Sequence, residues 1–132
     1  MFLNALNEKE GKNFLELATL AMSIDGTVKE SEKTVFETYR KEMVLQNYTI
    51  QNKPYDKLAM EFRSSTKKIK KIVIIELAGV LYADEEIDSS EQSWLMKLGH
   101  DLEFRDSEIR KMLRWSMDFN DLLNEAISYI NK

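Results

Sequence analysis

The chain has 132 residues, with 23 Asp and Glu against 19 Lys and Arg and a formal charge of −4. At this length one domain, residues 1–132, is expected, burying about two-thirds of the surface its unfolded chain exposes. The absence of Cys excludes disulfides, thiolate zinc sites and a thiol nucleophile, and a single His excludes a multi-histidine metal site.

The first residues, Met1-Phe2-Leu3-Asn4-Ala5-Leu6, lack the basic start and long apolar core of a signal peptide. The longest apolar run, residues 72–83, is interrupted by Glu76 and falls well short of the roughly twenty residues that span a bilayer. A cytoplasmic protein with no transmembrane segment is the expectation.

Helical periodicity then dominates. Phe14, Leu17, Ala18, Ala21 and Ile24 form a first apolar stripe, and Val35, Phe36, Tyr39 and Met43 a second. Tyr48 and Ile50 alternate with polar residues over too short a run for a strand, so 47–53 is the longest predicted connection. A short helix is predicted to start near Pro54, where a missing N–H costs nothing. Ile69, Ile72, Val73, Leu77, Val80 and Leu81, flanked by Ile74 and Ile75, describe a helix buried on most sides. Trp94, Leu95, Leu98 and Leu102 follow, then Ile109, Met112, Leu113 and Met117, then Leu122, Leu123, Ala126, Ile127 and Ile130. The pattern predicts an all-α bundle of six or seven helices, with Trp94, Trp115 and the seven Met residues read as core and a binding groove as the alternative.

The chain also repeats itself. Asp25 and Asp84 lie 59 residues apart, as do Glu32 and Glu91, and Val28, Val35, Phe36, Tyr39 and Leu45 meet apolar residues at the same offset. Two halves, roughly 9–63 and 66–131, each read as apolar helix, acidic turn and second amphipathic helix. Two copies suit a pseudo-two-fold bundle of helical hairpins better than a solenoid.

The two turns, residues 25–32 and 84–91, hold three and five acids and only one lysine between them. In each, an Asp ends a helix, an apolar residue three places on (Val28, Ile87) is expected to plug the core, and a Glu follows seven places after the Asp. Helix capping accounts for part of this: Asp88 with Glu91, and Thr27 with Glu30, fit capping boxes, and Gly26 suits a helix stop. An Asp at a helix C-terminus faces the negative end of the dipole, however, and both halves place one there. Convergence of Asp25, Glu32, Asp84 and Glu91 about a two-fold axis would make an oxygen-rich site for a divalent cation. Structural turn and ion site both remain open on these residues. Neither turn has the acid and glycine spacing of an EF-hand.

The segment Leu20-Ala21-Met22-Ser23-Ile24-Asp25-Gly26-Thr27-Val28, followed by Glu32, resembles the TerB family, named for tellurite resistance. Leu81-Tyr82-Ala83-Asp84-Glu85-Glu86-Ile87, followed by Glu91, resembles the same element again. The resemblance runs over roughly residues 14–123. It implies about seven helices in two related halves, a place in bacterial stress-response or phage-defence systems, and neighbours such as DnaJ-type co-chaperone modules. It also implies metal binding by acids that fall on Asp25, Glu32, Asp84 and Glu91. Two positions depart from the pattern: Glu85 stands where Gly is expected, and Lys29 occupies the cap position that Asp88 fills in the second half.

Three further groups draw attention. His100 beside Asp101 reads as a surface residue, because neighbours on a helix do not face each other. Glu76 reads as the water-exposed or lysine-paired edge of the most apolar helix, with burial and a raised pKa as the sharper alternative. Lys67, Lys68, Lys70 and Lys71 read as a solvated face or a partner for the acidic turns, and the acidic balance argues against specific nucleic-acid binding. No catalytic constellation is visible. The expected function is a non-enzymatic module binding a divalent cation or a protein partner, with a ligand-free helical scaffold as the alternative.

Overall fold

In the computed structural model, residues 1–24, 26–83 and 87–132 are described. Among them, six α-helices follow one short 3-10 turn at Leu3–Ala5: α1 Glu8–Met22, α2 Glu30–Glu42, α3 Tyr55–Arg63, α4 Lys67–Leu81, α5 Ser89–Asp101 and α6 Asp106–Ile130. No strand occurs among the described residues, so the all-α reading stands.

Each start has a local cause. Asn7 caps α1 by accepting from the Glu10 N–H while Glu10 reaches back to the Asn7 N–H, a complete capping box. Thr66 caps α4 through its hydroxyl, and Pro54 sets the entry angle of α3. α4 is the pivot: α1, α2, α5, α6 and the 3-10 turn all pack on it, while α3 closes the far side against α1 and α5. Val73, Ile74, Leu77, Ala78 and Val80 are completely buried there, against Phe14, Leu15 and Leu17 of α1 and Leu95 and Leu98 of α5. That all-round burial explains why the α4 sequence is apolar on nearly every face.

Close helix approach depends on two glycines. Gly79 of α4 lies beneath the Tyr39 hydroxyl, where an added Cβ would come within 2.8 Å of the oxygen. Gly99 of α5 makes room for Ile109 of α6, whose Cδ1 would lie 2.5 Å from such a Cβ. Tyr39 uses that space to donate to the Glu76 carbonyl at 2.9 Å, fastening α2 to α4.

Both second helices of the acidic units stop in the same way. After α2 the Leu45 N–H bonds the Arg40 carbonyl at 2.8 Å across Val44, and after α5 the Phe104 N–H bonds the Gly99 carbonyl at 3.0 Å across Glu103. Val44 (φ 56°) and Glu103 (φ 73°) take the left-handed conformation that this helix stop requires.

Four sequence expectations are corrected. Val28 does not plug the core; it is 39% exposed at the surface of the first turn. The N-cap of α2 is Lys29 rather than Thr27, so the Thr27–Glu30 capping box does not form and Glu32 takes the third position instead. The last two apolar stripes belong to one 25-residue helix, α6, rather than two. Finally, Trp115, Met60 and Met117 are exposed, as are Leu122, Leu123, Ile127 and Ile130, so this part of the expected core faces water.

Candidate functional site

Of the four proposed ligands, Asp25 and Asp84 lie outside the described residues, together with Glu85 and Glu86. Glu32 and Glu91 are described, and both are buried at 2% exposure. Each occupies the third position of its helix. The Lys29 N–H donates to Glu32 Oε1 at 3.0 Å, and the Asp88 N–H donates to Glu91 Oε1 at 3.1 Å. In the second turn the Asp88 carboxylate also accepts from the Glu91 N–H at 2.8 Å and from the Ser90 hydroxyl at 2.6 Å. Those donors hold the Asp88 carboxyl below its ordinary value. In the first turn the cap residue is a lysine, whose ammonium cannot accept a hydrogen bond, so only the backward half of the box is made. Both glutamates therefore serve as helix caps, and burial makes each cap a fixed piece of structure. Among the described residues no group of three or more acidic or imidazole side chains gathers as a metal cage.

A buried carboxyl with a raised pKa lies elsewhere. Glu76, expected at a solvent-exposed edge or beside a lysine, is 6% exposed, under the 3-10 turn, and its Oε2 lies 3.5 Å from the Met1 ammonium. Burial pushes its pKa up and the Glu42 charge adds to this, while the ammonium opposes both. Glu42 takes the ammonium more closely, at 2.7 Å, and also accepts from the Leu3 N–H.

Beside Glu76 runs an apolar groove of about 640 Å³. Val35 and Thr38 of α2 form one wall, Trp115, Phe119 and Leu123 of α6 the other, and Ile75 and Gly79 of α4 the floor. Trp115 stacks on Phe119 with ring centroids 5.3 Å apart, and Phe2 leans on Trp115 at 6.1 Å. Three polar groups of its lining are engaged: Ser116 donates to the Ile75 carbonyl, Asn120 to the Tyr82 carbonyl and Tyr39 to the Glu76 carbonyl.

Among the described residues, two lysines of the cluster pair with acids outside the duplicated turns. Lys70, nearly buried, pairs with Glu103 at 3.1 Å, and Lys67 with Glu108 at 3.6 Å, so two of the four lysines fasten α4 to the α5–α6 corner. His100 is exposed as expected, and its ring meets Asp106 rather than the adjacent Asp101. Asp101 instead accepts from the Tyr55 hydroxyl at 2.5 Å and from Lys97 at 2.9 Å, which together hold its pKa down.

A buried polar cluster on α1 has no counterpart in the sequence reading. Glu16, 1% exposed, accepts from the Tyr48 hydroxyl at 2.5 Å and from the Gln51 and Lys53 N–H groups at 2.7 and 3.0 Å. Burial alone would raise its pKa, but these donors outweigh that and hold it below its ordinary value. Burial and the Glu16 carboxylate in turn push the Tyr48 hydroxyl up to about 12. Asn13, one turn earlier, donates to Glu61 at 2.5 Å and accepts from Lys53 Nζ at 3.0 Å. Together they stitch the 47–53 connection to α1 and α3. The only signal in sequence is that Asn13 and Glu16 interrupt an otherwise apolar helix face.

Among the described residues no helix is long and apolar enough to cross a membrane. Comparison with protein-family models, with curated proteins and with solved structures finds no match to this chain.

Proposed function

We propose that this chain is a TerB-like, non-enzymatic module of a stress response, built of two related halves, whose acidic turns take up a divalent cation or a protein partner. One observation carries the reading: Glu32 and Glu91 stand 59 residues apart, equally buried, each as a back-cap at the third position of a 13-residue helix. Supporting the relation between halves, α1 and α4 are both 15 residues long and start at the same 59-residue offset, and Val44 and Glu103 repeat it. A carboxylate is rarely buried so fully without fixed donors or a cation. The backbone N–H at each cap supplies one such donor. In this reading the cation is held by Asp25, Glu32, Asp84 and Glu91, with the two glutamates also holding the turns in shape.

Calorimetric titration with calcium, magnesium, manganese and zinc tests it. Binding to the wild-type chain that is lost in Asp25→Asn and in Asp84→Asn is the expected result; no heat and no melting shift with any of the four ions refutes the cation reading.

A second reading, a ligand-free helical scaffold or regulatory interaction domain, is favoured by the exposed apolar length of α6. It predicts that Asp25→Asn combined with Asp84→Asn leaves both stability and partner capture intact.

A further inference from the structure

We propose that the C-terminal half of α6 is a dimerisation seam, occupied by the same segment of a second copy of this chain running antiparallel. Trp115, Phe119, Leu122, Ala126 and Tyr129 recur at alternating spacings of four and three, the repeat of a helix-pairing seam, and every one of them is exposed. The N-terminal half of α6 buries Ile109, Leu113 and Ser116 against the bundle, but no residue after Ser116 is buried. A 25-residue helix is about 37 Å long, and the roughly 20 Å of it beyond Ser116 touches its own chain along the groove side and leaves the rest of its apolar face open.

The size of that face fits a dimer. The exposed fractions of Phe119, Leu122, Leu123, Ile127, Tyr129 and Ile130 correspond to roughly 600 Å², the lower end of one partner's share in a stable interface. A monomer exposes a few hundred Å² of contiguous apolar surface as a rule. A two-fold contact needs one patch that complements itself, and the seam does. With Phe119 set opposite Tyr129 of the second copy and Leu122 opposite Ala126, Asp118 falls beside Lys132 of that copy, and the same pair forms again across the axis. In the same register Ile130 of the second copy arrives beside Ser116, at the apolar groove between α2 and α6. A membrane surface is a poorer occupant, because the outer face of this half carries Asp118, Asp121 and Glu125, which anionic lipid repels.

Sedimentation equilibrium and light scattering on the full chain, from about 1 to about 200 µM, test the proposal. The expected result is a species of twice the 15.5 kDa chain mass, reduced to the monomer mass by Leu122→Glu and by Phe119→Glu with the helical circular dichroism unchanged. Because the chain has no Cys, oxidation of Leu123→Cys gives a clean second measurement. Rapid disulfide-linked dimer is expected there, since the two copies of position 123 face each other across the axis. A wild-type monomer throughout the concentration range overturns the proposal, and so does a dimer that survives both glutamate variants. Faster crosslinking of Ala126→Cys than of Leu123→Cys overturns the antiparallel arrangement.

Discussion

Replacing Glu16 by Gln tests whether one buried carboxylate holds the 47–53 connection in place. The two side chains have the same shape, so packing against the 47–53 connection is kept and only the charge and one acceptor are lost. The wild-type carboxylate receives three donors, from the Tyr48 hydroxyl and the Gln51 and Lys53 amides. In the variant the NH₂ group must face at least one of them. Leaving one buried donor without an acceptor costs about 1–3 kcal/mol, and the remaining bonds weaken because charge-assisted ones are about twice as strong as neutral ones. A loss of about 2–4 kcal/mol follows, or a fall in Tm on the order of 10 °C for a chain of this length. The loss depends on pH in a defined direction. The Glu16 pKa lies below its ordinary 4.5, so its contribution is fully present above that value and disappears as pH falls through the lower, folded-state pKa. Urea unfolding of both proteins at pH 7 and near pH 3, followed by circular dichroism, reads both effects. A difference under about 0.5 kcal/mol at pH 7, or one that persists undiminished in acid, refutes the reasoning.

Two other substitutions probe the interior. Glu76→Gln is expected to leave stability unchanged or raise it by up to about 1 kcal/mol at pH 7, because a carboxyl with a raised pKa opposes folding while ionised. That advantage fades as pH falls and wild-type Glu76 takes up its proton; a clear loss of stability at pH 7 would show instead that the pairing with Met1 dominates. Gly99→Ala is expected to cost about 1–3 kcal/mol in denaturant unfolding, since its Cβ drives into Ile109 of α6; an unchanged midpoint would mean that Ile109 moves aside freely.

The helices were legible because burial follows helical period. Ile69, Ile72, Val73 and Leu77 mark α4 as central, and Pro54 marks where α3 begins. What sequence misjudged was decided by tertiary partners. Glu76 looks like a helix edge, yet the N-terminal segment folds over it. Glu16 looks like one more charge on α1, and only loop partners 32 or more residues later along the chain give it a role. Thr27 is the better capping residue, but the backbone enters the helix two positions later and Glu32, not Glu30, reaches the free amide. Apolar period also says nothing about which face finds a neighbour, and α6 keeps its stripe where the bundle covers only one side of it. Of the candidate metal ligands, the sequence identified two acids that occupy matching buried positions, although the capping role they fill needs no ion.

The place of α4 in the chain has a consequence for how the protein is made. A ribosome delivers α1, α2 and α3 first, and their apolar faces, with Phe14, Leu17 and Phe36, are shaped to rest on one another and on a helix not yet synthesised. Until residues 67–81 emerge, the leading half has no centre to close upon and is exposed to misassociation. A fragment ending near residue 66 should therefore be sticky and poorly folded, and the newborn chain has most need of a chaperone in the interval before α4 arrives.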